Sequence, residues 1–269
     1  MATANGRKTI FLTGAASGIG RATAELFADR GWFCGLSDID AAGLEETHRL
    51  IGADNGMTVA LDVCDRDQWA SAMAAFSEAT DGRMHVLFNN AGIGRHGWFE
   101  DIPPEEADLI VDINVKGVVN GVYAALPLLK ETKDARIVNV ASAAGLYGSP
   151  QLAVYSATKF AVRGLTEALD LEFASLGVKV TSLMPFFVDT PILNMSTGDG
   201  SNHNMKDQIK EMGADVYPVS LAAEQAWKAA HDDALHTTVG KAANRLRFFS
   251  RFLPGTLRKQ ILGSLPERA

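Results

Sequence analysis

The chain has 269 residues, of which 47% are hydrophobic and 21% are charged, a balance typical of a globular protein with a substantial core. Its net charge of −7 argues against a nucleic-acid partner, because neutralising phosphates requires clustered lysines and arginines.

The N-terminus and the interior of the chain suggest no signal peptide, membrane span or metal centre. Residues 1–8 lack the apolar core of a signal peptide. The longest apolar stretch, residues 118–129, is interrupted by polar residues and a proline and is too short to span a bilayer. The two cysteines, Cys34 and Cys64, lie in or beside apolar runs and predict buried thiols rather than a disulfide or a metal site. We therefore expect a cytoplasmic protein with no metal and no integral membrane segment.

Apolar strand patterns alternate with helical patterns from the start of the chain. Predicted strands cover residues 8–12, 32–36, 58–61, 86–88, 136–140 and 178–183, and predicted helices cover residues 19–30, 41–50, 67–79, 104–129, 154–175 and 220–235. Such alternation implies parallel strands joined by right-handed crossovers, with helices on both faces of the sheet. No linker or repeat divides residues 1–269, so the sequence predicts one doubly wound, Rossmann-type α/β domain.

Two segments after the sixth strand depart from this pattern. Residues 186–216, which are rich in glycine and asparagine, predict a mobile substrate loop. Residues 245–269 form a C-terminal tail that mixes phenylalanines with five arginines and Lys259. Such a tail could be an amphipathic helix that touches a membrane. Because Pro254 and Gly255 interrupt it, packing against a partner subunit or over the substrate cleft is the preferred interpretation.

A glycine-rich segment, residues 13–20, joins the first strand to the first helix with the sequence Thr-Gly-Ala-Ala-Ser-Gly-Ile-Gly. Glycines at such a turn let a pyrophosphate approach the backbone, and the helix N-terminus offers amide groups to the phosphates. A glycine turn without a ligand is the alternative. The position between strand and helix favours dinucleotide binding through Gly14, Ser17, Gly18, Ile19 and Gly20.

Asp38 ends the second predicted strand, where a carboxylate bonds the hydroxyls of the adenosine ribose. A carboxylate there repels a 2′-phosphate, and Ser17 supplies no compensating positive charge, so NAD is favoured over NADP. The alternative is that Asp38 or Asp40 only caps the next helix. Asp40 is better placed for the cap, which leaves Asp38 for the ribose.

Tyr155 and Lys159 lie four residues apart, on one face of the predicted helix 154–175. A tyrosine has an ordinary pKa of about 10, and a neighbouring ammonium group favours its charged form. Such a tyrosine can exchange a proton with an alcohol or ketone, while Ser142, just past the fifth strand, can orient the same oxygen. The pair alone is more often a surface contact. The serine and the glycine turn, both at the carboxyl edge of the sheet, favour catalysis.

These motifs together resemble the short-chain dehydrogenase/reductase family in its single-domain form, from about residue 8 to residue 190. The resemblance rests on the glycine turn, Asn89-Asn90-Ala91-Gly92, Asn114, Ser142 and Tyr155-x-x-x-Lys159, in this order. It implies an NAD-dependent alcohol dehydrogenase or ketone reductase, assembled as a homodimer or homotetramer through helices 104–129 and 154–175.

The resemblance also implies roles for individual residues. Tyr155 is then the acid/base, Lys159 lowers its pKa and binds the nicotinamide ribose, and Ser142 orients the substrate. Asn114 then holds a water in a proton relay, although a buried amide bonding its own helix is an alternative. The implied cofactor contacts further include Asp62, Val63, Asn90, Ala91, Gly92, Pro185, Val188 and Thr190, with Asn89 structural. The family's Pro-Gly after the sixth strand is Pro185-Phe186 here, which puts the local backbone course in doubt.

Loops at the carboxyl edge of the sheet are expected to supply the substrate side chains. The candidates, all apolar, are Ala144, Leu146, Leu152, Phe186, Phe187, Leu193 and Met195. They predict a hydrophobic secondary alcohol or ketone, with Arg95 and His96 available for a polar end. Two other functions are weighed. A non-catalytic dinucleotide sensor or scaffold is disfavoured because the catalytic set is intact. A lyase or epimerase is disfavoured because no large C-terminal domain follows residue 184.

Overall fold

Seven parallel strands form one sheet in the computed structural model, which describes residues 2–194, 206, 209 and 213–265. The strands lie in the order β3-β2-β1-β4-β5-β6-β7. Their bounds are β1 Thr9–Thr13, β2 Phe33–Asp38, β3 Gly56–Ala60, β4 Val86–Asn89, β5 Arg136–Val140, β6 Lys179–Pro185 and β7 His236–Val239. The sheet confirms the predicted doubly wound architecture.

Helices cover both faces of this sheet. They are α1 Gly18–Asp29, α2 Ala41–Ile51, α3 Arg66–Thr80, α4 Pro104–Val111, α5 Gly117–Lys130, α6 Ala153–Glu172, α7 Val219–Ala229, α8 Lys241–Phe252 and α9 Pro254–Gly263. Side chains of a strand alternate between faces. In β1, Ile10 and Leu12 therefore pack with Phe27 of α1, whereas Phe11 packs on the other face with Trp69 and Phe76 of α3.

The seventh strand was not predicted, and the helix predicted over residues 220–235 ends at Ala229. β7 pairs on one side only, with β6, and its sequence His-Thr-Thr-Val lacks the apolar run of a strand buried on both faces. The sequence pattern for such a short edge strand is weak, which explains the error.

The predicted long helix 104–129 forms, with a local change in its winding. α4 and α5 are joined by a π-helical turn, Asp112–Lys116, which contains the buried Asn114. The combined helix Pro104–Lys130 has the length and mean hydropathy of a membrane span, but 44% of its most apolar window is buried inside the fold. Because α5 packs against α3, we interpret it as a core helix.

The C-terminal tail forms two helices, α8 and α9, which break between Phe252 and Pro254. Cys34 is buried and Cys64 is partly buried, and both are free thiols. Within the described residues, no cluster of histidine, cysteine and acidic side chains has the arrangement of a metal site.

Candidate active site

The chain reverses its winding direction between β1 and β4, which are neighbours in the sheet. Parallel α/β sheets bind ligands in the crevice that such a reversal opens at the carboxyl ends of the strands. A cavity of about 970 Å³ lies there. Its walls include every predicted site residue except Gly20 and Asn114, namely Gly14, Ser17, Gly18, Ile19, Asp38, Asp62, Val63, Asn90, Ala91, Gly92, Ser142, Tyr155, Lys159, Pro185, Val188 and Thr190.

The glycine turn is crowded by the protein itself. Gly14 has φ +66°, and a Cβ there would lie 2.8 Å from Asn90 Nδ2 and 2.9 Å from Ala91 Cα. A Cβ on Gly20 would lie 2.0 Å from the carbonyl oxygen of Gly14. From the sequence, glycine was expected at these positions because a pyrophosphate approaches the backbone. The structure shows that, at these two positions, neighbouring backbone and the Asn90 side chain already exclude a Cβ.

Four hydrogen bonds join the glycine turn to the segment after β4. The Thr13 hydroxyl accepts from the backbone amides of Asn90 and Ala91, each at 3.0 Å. Asn90 Nδ2 in turn donates to the carbonyls of Thr13 and Gly14 at 3.0 and 3.1 Å. The two segments that flank the crevice are therefore held as one rigid unit. Thr13 was not predicted as a site residue, because a threonine at a strand end carries no distinctive signal.

Asp40, rather than Asp38, caps the N-terminus of α2, as the sequence predicts. Asp40 caps α2 by accepting from the Gly43 amide at 3.0 Å. Asp38 accepts from the amides of Ala16 and Asp40, one on each carboxylate oxygen, both at 3.1 Å. Because each carboxylate oxygen accepts more than one hydrogen bond, Asp38 keeps acceptor capacity toward the cavity.

Arg21, the cationic side chain beside the glycine turn, donates its hydrogen bonds to other groups of the protein. It donates to the Thr47 hydroxyl at 3.0 Å, and to the carbonyls of Ala16 at 2.5 Å and Gly43 at 3.3 Å. Arg21 is absent from the cavity wall. It therefore offers no hydrogen-bond donor to a ligand beside Asp38.

Asp62 and Val63 lie beyond β3, at the end of the cavity nearest Asp38. The amide of Cys64 donates to Asp62 Oδ1 at 2.9 Å, and the Asp62 amide donates to Gln68 Oε1 at 2.8 Å. These bonds fix the turn that places the Asp62 carboxylate in the cavity wall.

Ser142 begins a one-turn 3₁₀ helix after β5. Its hydroxyl accepts from the Ala144 amide at 3.1 Å and donates to the Pro185 carbonyl at 3.4 Å. The turn packs directly on α6, so closely that a Cβ on Gly145 would lie 2.7 Å from the Lys159 carbonyl oxygen. This close contact sets the distance between Ser142 and the helix that carries Tyr155 and Lys159.

Tyr155 and Lys159 lie in the cavity wall at the start of α6. The Lys159 side chain is only 4% exposed. Its Nζ donates to the Val140 carbonyl at 3.0 Å and lies 5.5 Å from the centroid of the Tyr155 ring. Burial lowers the pKa of Lys159 to about 8. The structure confirms that Tyr155 and Lys159 lie close together, as their four-residue spacing predicts.

The expected lowering of the Tyr155 pKa is not present in the ligand-free site. Burial raises the pKa of Tyr155, and a hydrogen bond with Ser142 offsets this only in part. The phenol form is therefore favoured here, and deprotonation of Tyr155 needs positive charge from Lys159 or a ligand.

Asn114 lies behind the cavity, on the π-helical turn. Its Oδ1 accepts from the Ile93 amide at 2.9 Å, and its Nδ2 donates to the Ile93 carbonyl at 2.9 Å and the Thr158 hydroxyl at 3.1 Å. The Thr158 hydroxyl donates to the Tyr155 carbonyl at 2.7 Å. Asn114 therefore ties the segment after β4 to α6 rather than bonding its own helix. Thr158 was missed, since nothing in its sequence position distinguishes it.

The segment after β6 has a defined course despite the Pro185-Phe186 departure. The Phe186 amide donates to the Val239 carbonyl at 3.3 Å, and the Tyr217 amide donates to the Phe187 carbonyl at 2.8 Å. The rings of Phe186 and Phe187 contact each other edge to face, 4.6 Å apart. Residues 186–194 are thus anchored to β7 and Tyr217, whereas residues 195–205 of the predicted mobile loop, including Met195, lie outside the described residues.

The substrate candidates separate into wall residues and core residues. Ala144, Leu152, Phe186, Phe187 and Leu193 line the cavity. Leu146 does not, because it packs into a core cluster with Val118, Ala141, Val162 and Met184. Arg95 pairs with Glu106 at 2.8 Å, and neither Arg95 nor His96 belongs to the cavity wall. The expectation that they contact the substrate is therefore not supported by the geometry.

Further wall residues come from the C-terminal tail, for which packing over the substrate cleft was one of the two preferred interpretations of the sequence. Leu246 of α8 and Leu257 and Ile261 of α9 close one side of the cavity. Tyr147, after the Ser142 turn, and Leu109, Ile113 and Ile192 also contribute. Their apolar character alone does not separate them from core residues, so only their tertiary position identifies them.

The donors and acceptors around the cavity match the parts of a dinucleotide. The N-terminus of α1 offers amides for a diphosphate, and the Ser17 hydroxyl caps no amide of that helix. Asp38 offers a carboxylate, and Lys159 offers the cation among the wall residues that the structure describes.

Comparisons with known proteins agree with this geometry. The sequence profile of the short chain dehydrogenase family matches residues 8–200. The oxidoreductase UcpA of Salmonella typhimurium is 36% identical over 220 residues, which cover 81% of this chain and 82% of UcpA.

Two solved structures share the fold. A short chain dehydrogenase/reductase from Burkholderia phymatum in complex with NAD has a TM-score of 0.82 at 28% identity and covers 98% of both chains. A 3-ketoacyl-(acyl-carrier-protein) reductase from Brucella melitensis complexed with NADH has a TM-score of 0.76 at 32% identity, covering 86% of this chain and 96% of the reductase.

Proposed function

The chain belongs to the short-chain dehydrogenase/reductase family of oxidoreductases, and we propose that it interconverts a hydrophobic secondary alcohol and its ketone with NAD(H). One observation carries the proposal. Ser142, Tyr155 and Lys159, which come from two different elements, line the same cavity as the glycine turn and Asp38. A sensor without catalysis has no need of this set.

We propose that NAD occupies the crevice between β1 and β4. When bound, its nicotinamide accepts or supplies the hydride. The chain supplies the amides of the α1 N-terminus for the diphosphate, the Asp38 carboxylate for the adenosine ribose and Asp62 for the adenine. Bound NAD or NADH in the Burkholderia and Brucella structures supports this assignment. The Asp38 carboxylate would repel a 2′-phosphate, and Arg21 is not a wall residue that could bind one, so NAD is favoured over NADP.

Tyr155 is proposed to exchange the proton with the substrate oxygen. In ketone reduction, the phenol form that burial favours is already the proton donor. In alcohol oxidation, Tyr155 takes the hydroxyl proton, and the nearby ammonium of Lys159 stabilises the phenolate. Because the pKa of Lys159 is about 8, this ammonium is largely present at neutral pH. Ser142 orients the substrate oxygen, and Asn114 positions α6 against the segment after β4 and holds the water of the relay.

The substrate is proposed to be uncharged and hydrophobic. Beyond the cofactor residues, the wall is formed by Leu152, Phe186, Phe187, Leu193 and the leucines and isoleucine of α8 and α9. The charged wall residues are Asp38, Asp62, Asp112 and Lys159, so the described wall offers no second cation to bind a carboxylate or phosphate. Burying such an anion without a partner is strongly unfavourable.

Assembly as a homodimer or homotetramer in the cytoplasm is part of the same proposal. The helices that the resemblance assigns to subunit contacts expose large apolar side chains, including Tyr123 on α5 and Phe160 and Leu171 on α6. Exposed apolar groups of this kind mark interaction surfaces. A native mass of two or four chains by light scattering is the expected result.

The first test measures NADH absorbance with aliphatic, aromatic and polycyclic secondary alcohols or the matching ketones. We expect turnover with NAD(H), and a loss of about 10²–10⁴-fold in Tyr155→Phe, because the variant lacks the acid/base group. Tyr123→Phe, on an exposed tyrosine of α5, is the matched control and should keep full activity. Undiminished turnover in Tyr155→Phe would contradict the mechanism. NAD binding without turnover on any substrate would favour the sensor function.

A further inference from the structure

The C-terminal helix pair, α8 and α9, carries a concentration of positive charge that the rest of the chain lacks. Residues 241–265 contain six cations and no acidic residue, in a chain of net charge −7. All six, Lys241, Arg245, Arg247, Arg251, Arg258 and Lys259, are exposed. Within the described part of the chain, none of them forms an ion pair with an acidic side chain.

Large apolar side chains lie among these cations. Phe248 and Phe252, one helical turn apart on α8, are 53% and 62% exposed, and their rings contact each other with centroids 5.1 Å apart. Leu253 and Leu262 extend the exposed apolar surface to the break between the helices and to α9. A surface that combines basic and large apolar residues is typical of helices that lie in the interface of an anionic membrane.

The opposite side of the same two helices faces the cavity. Leu246, Leu257 and Ile261 line it, and Leu246 also packs against the core cluster beside Ala141. One layer of helix therefore separates the exposed basic surface from the substrate cavity. A protein docked through this surface would hold the cavity within one helix layer of a bilayer in which a hydrophobic substrate resides.

We propose that the outer face of α8 and α9 docks on an anionic lipid bilayer, with Phe248, Phe252, Leu253 and Leu262 in the interface and the six cations on the lipid headgroups. Charge complementarity favours this occupant over a second copy. Two copies related by a two-fold axis would bring two clusters of unpaired cations together. Docking itself does not depend on the proposed chemistry, whereas delivery of substrate from the bilayer rests on it.

The experiment measures sedimentation of the full chain with sucrose-loaded vesicles, made of phosphatidylcholine alone or of phosphatidylcholine and phosphatidylserine in equal parts. We expect binding to the anionic vesicles, little binding to the neutral ones, and loss of binding in high salt. Each cation near an anionic surface contributes about fivefold to the binding constant. Arg251→Glu/Arg258→Glu should therefore weaken binding by at least about tenfold, and Phe248→Ser/Phe252→Ser should also weaken it.

The matched control, Lys130→Glu/Lys133→Glu, changes the net charge equally at exposed positions at the amino edge of the sheet, and should bind like the wild type. An equal loss in both charge variants, or no binding to anionic vesicles, overturns the proposal. A native mass that falls in Phe248→Ser/Phe252→Ser without any vesicle binding assigns the face to a second copy and also overturns it. Turnover on a water-soluble alcohol, measured in parallel, tests the proposed function separately.

Discussion

At the residue scale, the site depends on charges whose surroundings differ from water. Lys159 is buried, and its ammonium group donates to the carbonyl of Val140. Among the described residues, no carboxylate forms an ion pair with it. The Asp38 carboxylate lies in the cavity wall and accepts from two amides. In the proposed mechanism, burial of the Lys159 ammonium costs stability and serves the chemistry, whereas Asp38 selects the cofactor. Each makes a separate prediction.

Lys159→Met should abolish turnover and stabilise the ligand-free protein. The pKa of Lys159 falls from 10.5 to about 8 on burial, so the folded state disfavours the ammonium at every pH below about 10. Removing that charge gains stability, partly offset by the lost bond to Val140, and we expect a net gain of about 1–2 kcal/mol at neutral pH. Urea unfolding at pH 7 measures it. A variant less stable than the wild type would show that the ammonium is well solvated in the fold.

Asp38→Ala should remove the preference for NAD over NADP. The substitution deletes an acceptor for the ribose hydroxyls and the charge that repels a 2′-phosphate. A lost hydrogen bond to a charged group corresponds to an increase of about ten- to a hundredfold in KM for NAD. The ratio of kcat/KM for the two cofactors is the measurement. Since Asp38 also orders the glycine turn through Ala16, a stability comparison is the control. An unchanged cofactor ratio would contradict the assignment.

At the element scale, close contacts between elements set the catalytic geometry. The 3₁₀ turn after β5 touches α6 at Gly145, the glycine turn touches the segment after β4 at Asn90, and Asn114 joins that segment to α6. Three contacts thus hold four separate elements around one cavity. A π-helical turn places Asn114 in this network, in keeping with the frequent occurrence of such turns at functional sites.

Gly145→Ala should lower kcat with little effect on cofactor affinity. Its Cβ would lie 2.7 Å from the Lys159 carbonyl oxygen, which would force the Ser142 turn away from Tyr155. A displacement of about 1 Å costs about 10²-fold in rate. Gly263→Ala, at the end of α9, with nothing within 4 Å of its Cβ and outside the cavity wall, is the control and should retain activity. Equal kcat in the two variants would show that the turn adjusts freely.

At the scale of the whole molecule, three partly desolvated histidines make the fold sensitive to mild acid. Burial lowers the pKa of His85, His231 and His236 below their ordinary value of 6.5. The unfolded chain therefore binds protons that the folded chain resists, and stability is lost as pH falls below about 6.5. Urea midpoints between about pH 5 and 7, above the ordinary carboxylate range, should decrease with acid. A flat profile over this window would contradict the prediction.

Much of this fold and of the candidate site could be predicted from the sequence, but some parts could not. Strands buried on both faces, such as β1 and β4, contain continuous apolar runs. The glycine turn, Asp38, Asn90, Ser142 and the tyrosine–lysine pair lie at strand or helix ends that the pattern locates. β7 lies at an edge and lacks such a run. The cavity roles of Leu246, Leu257 and Ile261, and the core role of Leu146, depend on which side of an element faces which neighbour. Apolar spacing does not encode that choice.

The sequence by itself determined the fold class, the order of the motifs and the family, because strand–helix alternation and the carboxyl-edge positions of polar residues follow from local pattern and the handedness of crossovers. Only the tertiary structure showed the hydrogen bonds of Thr13 to the segment after β4 and the hydrogen bond from Asn114 to Thr158. It also decided the direction of the Tyr155 pKa shift and the position of α8 and α9 over the cavity. Each of these depends on contacts between residues distant in the chain and on the burial that results, which local sequence does not specify.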